Sequence, residues 1–189
     1  MKKLSLFVAL CLVAAGTISC GGSSDFFSSK ENFAKAEKQI VSKFGDNAWF
    51  TQLSVALTPP VGSMILVNTT GDPKSLKMEG WIQMRGVWKK DSDISLTTDD
   101  ADMNPADYMF QLGKDLDWSK VWELAQKSKQ TILDEGHLGK DIVVKMVMIS
   151  IPDGREKSDL MISVSVEPAS GGTSTMFNYD RDGNLLNRN

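Results

Sequence analysis

Thiols, imidazoles and long apolar runs are what this chain has least of. Its 189 residues include two cysteines and one histidine. Cys11 and Cys20 both fall within the first twenty positions, so the remainder carries no thiol. Disulfides and a cysteine nucleophile are thereby excluded from the main body, whose stability must come from a packed core. A single histidine, His137, supplies neither a His-pair zinc site nor an H-E-x-x-H helix. No G-x-S-x-G or S-x-x-K motif accompanies it. It follows the Asp134-Glu135-Gly136 end of a helix and reads as a surface residue meeting the helix dipole. No glycine-rich phosphate loop is present, and no cofactor is implied. The longest apolar run, Leu4–Ala15, is shorter than the roughly 20 residues a membrane-spanning helix needs. Excess basic charge is missing too. Without Lys2 and Lys3, 19 basic residues face 24 acidic ones, which argues against nucleic acid as a partner.

What is present begins at the N-terminus. Lys2-Lys3, the apolar run and the small residues before Cys20 have the order of a secretory signal. Thr17-Ile18-Ser19-Cys20 resembles the lipobox of bacterial lipoproteins, with Thr17 where that motif usually carries Leu. The resemblance implies cleavage after residue 19 and lipidation of Cys20. It also implies anchoring in the cell envelope, with Gly21 suiting the outer membrane. Acylation gives a use to a thiol that has no partner. Several acyl chains, each methylene contributing ~0.8 kcal/mol, hold firmly. The chain therefore divides into a signal peptide (1–19), a lipidated cysteine and tether (20–29), a first half (30–98), an acidic connector (99–114) and a second half (115–189).

Periodicity fills in the halves. Ser28 and Glu31 look like a capping box before a helix over 30–44, with Phe33, Ala36, Ile40 and Phe44 on one stripe. Its back, with Lys35, Lys38 and Lys43, reads as a solvated face. Alternation predicts strands over 49–57 and 64–69. A third, long strand is expected over 76–90, bending at Gly80 or Gly86, and a short fourth over 94–97. Asp117 caps a second helix that ends at Gly136. Residues 141–151 are apolar on both sides, as in a central strand. Leu160, Ile162, Val164 and Val166 mark a half-buried strand, and 173–187 a final hairpin turning on 180–184.

The halves repeat in outline. Gly45 and Gly136 stand 91 residues apart, Pro59 and Pro152 stand 93 apart, and each half runs helix, strand, Pro turn, further strands. The expected fold is α+β, two helices packed on antiparallel sheet in two similar helix-plus-four-strand halves. In topology this resembles the tandem layout of PepSY-like and beta-lactamase-inhibitor-like secreted proteins. The segment Tyr179–Leu185 is similar to a turn common in such envelope domains.

Two acidic stretches invite a cation reading. Asp100-Ala101-Asp102-Met103-Asn104 begins like a calcium loop, but Pro105 and Gln111 stand where Gly and Glu are needed. Asp180–Asn184 is a shorter relative. Both read as solvated turns, and no metal is expected. The sharpest positive feature is one side of the long strand, where Glu79, Trp81, Gln83 and Arg85 alternate with Met78, Ile82, Met84 and Trp88. An aromatic ring beside amide and guanidinium groups suits a glycan or a peptide. The functional expectation is a non-catalytic envelope lipoprotein that binds a protein or glycan. Two alternatives stand beside it: an enzyme inhibitor or chaperone-like module gripping its partner with a concave sheet, and a small hydrolase with an unrecognised carboxylate site.

Overall fold

The computed structural model describes residues 25–97, 103–152 and 155–189. Cys20 with its lipobox, Asp99–Asp102 and the Asp153-Gly154 turn lie outside the described residues. Helix α1 (Lys30–Phe44) leads into strands β1 (Trp49–Thr58), β2 (Gly62–Thr70), β3 (Lys77–Met84) and β4 (Val87–Ser95). Helix α2 (Trp118–Glu135) leads into β5 (Ile142–Ser150), β6 (Met161–Pro168), β7 (Thr175–Asp180) and β8 (Leu185–Arg188). The strands form one antiparallel sheet in the order β4-β3-β2-β1-β5-β6-β7-β8. Both helices pack on it, giving the expected α+β architecture.

Each half is thus a helix followed by a four-strand meander, and the halves join where β1 pairs with β5. The register shows the symmetry directly. Ser54 faces Met148, Val55 faces Val147 and Ala56 faces Met146. Val55 and Val147 stand 92 positions apart, midway between the 91 and 93 of the glycine and proline landmarks. A local dyad passes between them.

Both helices are stopped by glycine, and Gly136 adopts the left-handed conformation (φ 71°) that a side chain would resist. Asp117 caps α2 as expected, accepting from the Ser119 N–H at 2.9 Å. At α1 the cap is Ser29, one residue later than expected, which accepts from the Asn32 N–H. Ser28 instead donates its hydroxyl to the Asp25 carbonyl.

The largest departure is the long strand. Residues 76–90 are two strands, β3 and β4, joined by the tight Arg85-Gly86 turn with positive φ at both positions. Arg at a positive-φ position is not a standard turn signal, since Asn, Asp and Gly accept that conformation more readily. The Ile94–Thr97 segment is therefore the end of β4 and its continuation. A bulge at Gly80-Trp81 lets β4 approach so closely that a Cβ on Gly80 would meet Ser92 Oγ at 2.4 Å.

The core lies between sheet and helices. One cross-strand row runs Gln83, Ile65, Val55, Val147, Val164, Phe177, and the next runs Trp81, Val67, Leu53, Ile149, Ile162, Tyr179. Phe33, Ala36 and Ile40 of α1 and Val121, Ala125 and Ile132 of α2 close over them. Two polar groups on this side are paired across elements. Trp118 Nε1 donates to the Phe33 carbonyl at 3.0 Å, and Ser128 Oγ meets the Tyr179 hydroxyl at 2.8 Å.

Candidate functional site

The alternation of a strand sends every second residue to the other face. In β3 the sides are the reverse of what the sequence suggests. Trp81 and Gln83 point under α1. Trp81 packs edge-on to Phe44 at 6.0 Å, and Lys43 Nζ lies 4.2 Å from its ring centre. Gln83 is 1% exposed and donates its amide to Gln39 Oε1 on α1. Glu79 accepts from Trp81 Nε1 at 2.9 Å and pairs with Lys90 at 2.8 Å. Those bonds, Lys90 first, hold its carboxyl below the usual range. Arg85 sits in the turn beyond the strand. The four residues expected to form an open platform therefore do not share one, because α1 covers the face that carries Trp81. Trp88 is also on the covered side, edge-on to Phe44 at 5.0 Å.

Of the apolar residues of β3 on the other side, Met84 is exposed and Ile82 partly so, while Met78 is buried. Neither α1 nor α2 covers the opposite face of the sheet, and three cross-strand rows cross it. The first reads Val87, Met84, Met64, Ala56, Met146, Ser165, Met176. The second reads Ile82, Leu66, Ser54, Met148, Ser163, Asn178. The third reads Gly80, Asn68, Gln52, Ser150, Met161, Asp180. Six of the chain's ten methionines stand in these rows. Unbranched thioethers separated by buried serines give a surface that is apolar yet able to reshape itself. Toward β8 the face is tied up internally: Ser163 donates to Asn178 Oδ1 at 2.6 Å, and Asn178 donates to Asn187 Oδ1 at 2.7 Å.

At the third row the face deepens into a groove of about 810 Å³. Gln52, Asn68, Ser150 and Met148 form its floor, and Tyr108 and Arg155 stand among its walls. Arg155 is the one charged side chain among the described residues that line it. Apolar walls with a few amides and hydroxyls are the usual make-up of a ligand groove of this size.

Carboxylate chemistry has one candidate. Glu37 on α1 and Asp117 at the start of α2 border a common cleft. Burial, then the charge of Asp117, push the Glu37 carboxyl above its ordinary range. The Ser119 hydroxyl and N–H hold that of Asp117 below its own. Asp117 is committed to capping α2, and among the described residues no three His, Cys, Asp or Glu side chains converge. The Asp180–Asn184 turn is likewise filled from within. Asp180 accepts from the Asp182 and Asn184 N–H groups and from Asn184 Nδ2. His137 stands after Gly136, half exposed, with Nδ1 3.5 Å from Glu135.

Sequence reasoning missed the open face because it assigned strand sides by apolarity alone. The available signal was parity: Met146, Met148 and Ser150 share one side of β5, and Met161, Ser163 and Ser165 share one side of β6. Compared with known proteins, the chain matches no family model, no curated protein and no solved structure.

Proposed function

We propose that this is a non-catalytic lipoprotein of the cell envelope, anchored through Cys20, whose groove binds an extended segment of a partner protein. The groove at the far end of the open face carries this reading. The amides of Gln52 and Asn68 stand opposite each other on neighbouring strands, suited to a peptide backbone. Met148 and Ile151 accept apolar side chains, and Arg155 favours an acidic group or a terminal carboxylate. A glycan has less to recommend it. Trp81, Trp88, Trp118 and Trp122 all belong to the covered side, and the Trp49 ring has Lys114 and Lys157 5.9 Å from its centre. The tandem helix-plus-four-strand layout supports the topological likeness to PepSY-like and beta-lactamase-inhibitor-like proteins.

A photo-crosslinking amino acid placed at Met148 in cells tests this, with the exposed α2 position Glu123 as control. The expected result is a discrete protein adduct at position 148, absent at 123, that disappears when Arg155→Glu is added. Identical adducts at both positions, or adducts indifferent to Arg155→Glu, would overturn it.

A further inference from the structure

The described chain begins beside the methionine row, not beside the groove. The Phe26 N–H donates to Ser63 Oγ at 2.9 Å, and Ser63 precedes Met64 in β2. Phe26 and Phe27 are buried, so the start of the domain is pinned at that end of the sheet. Five peptide steps separate Asp25 from Cys20 and span at most about 18 Å when extended. A lipid on Cys20 therefore holds the Ser63 end of the sheet close to the bilayer. The other end of β2, at Thr70, lies about 23 Å further along the strand.

That near end is also where the open face is most apolar. Val87 is 69% and Met84 43% exposed, and Met64, Met146 and Met176 continue the row as half-buried side chains. The exposed Pro59-Pro60 turn lies at the same end. Arg85, in the turn between Met84 and Val87, and Lys89, opposite Ile82, are exposed beside the row. Basic side chains flanking an apolar strip match the anionic headgroups over the acyl region. We infer that this row is a second, peripheral contact with the lipid surface, which turns the groove at the opposite end away from the membrane. The inference rests on the lipid-anchor part of the proposed function.

Because no cysteine follows Cys20, a single label site is easily introduced. Val87→Cys and, at the far β7–β8 turn, Asp182→Cys are made in the full-length lipoprotein and labelled with an environment-sensitive fluorophore. Each is reconstituted into phosphatidylethanolamine–phosphatidylglycerol vesicles with or without doxyl-labelled lipid. The expected result is a blue shift and at least twofold quenching by doxyl lipid at position 87, with neither at 182. Water-like emission at both positions in anchored protein overturns the lipid contact and leaves the anchor standing. A shift at 87 that follows protein concentration without lipid assigns the row to a second copy and also overturns it. Should the parent fail to sediment with membranes any better than Cys20→Ser, the anchor falls and the contact with it.

Discussion

Ile149 and Met148 are neighbours in β5, yet they belong to different surfaces. Ile149 sits fully buried under α2, beside the equally buried Leu53 and Ile162. Met148 faces away, between Ser54 and Ser163, and lines the groove. The covered face is Val, Ile, Leu and large aromatics, which have few rotamers and fill space densely. The open face is Met, Ser and amides, which fill it loosely. One sheet thus separates a densely packed face from a loosely packed one by residue parity alone. Truncation is the strongest way to break this contrast. Ile149→Ala should lose about 2–5 kcal/mol, the usual cost of deleting a buried aliphatic side chain. Met148→Ala should lose under about 1 kcal/mol, as at partly exposed sites. Urea unfolding measures both, and equal losses would mean that the Met148 face is covered as well.

An unpaired amide oxygen on the covered face sharpens the same contrast at smaller scale. Gln83 lies in the row of Ile65 and Val55, where an apolar residue would be ordinary. Its amide nitrogen reaches Gln39, but its Oε1 is buried without a partner among the described residues. A buried acceptor left unpaired costs about 1–3 kcal/mol, whereas an apolar replacement of similar shape removes that cost. Gln39, partly exposed, is able to turn toward water. Gln83→Leu is therefore expected to be neutral or to stabilise by about 1 kcal/mol in the same urea assay. A loss larger than that would show that the amide is needed where it is.

Much of the fold is legible from local chemistry, for reasons these residues make plain. α1 and α2 carry their stops in Gly45 and Gly136, and β6 announces itself through Leu160, Ile162, Val164 and Val166. Even the dyad is foreshadowed by landmarks 91 and 93 positions apart. The candidate site is legible only in part. Which side of β3 is covered depends on how α1 crosses it, and that is set by Phe44 meeting Trp81 and Trp88, residues far from it in the chain. Both sides of β3 carry apolar residues, so hydrophobicity cannot choose between them. The Arg85-Gly86 turn hides a strand boundary for a similar reason, because its positive φ at Arg85 is imposed by the pairing of β3 with β4.

The smallest effect is electrostatic, and it sets a carboxylate of the covered side against one of the open face. Glu37, in the cleft where α1 meets the start of α2, is held above its ordinary value of 4.5, by burial first and by Asp117 second. Asp180, in the third open-face row, is held below its ordinary 3.8, first by Asn184 and then by turn N–H groups. The native state favours the protonated form of Glu37. Its relative stabilisation is full below pH 4.5 and lost as pH rises through the native value. Asp180 has the opposite sign, for its contribution is full above 3.8 and lost as pH falls through the native value. Thermal unfolding of Glu37→Gln should accordingly match the parent near pH 4 and exceed it at pH 7. Asp180→Asn should fall short of the parent at pH 7 and converge on it in acid. Parallel pH profiles for the two variants would mean that the junction of the helices is no drier than the turn, and that the covered side is less closed than its packing indicates.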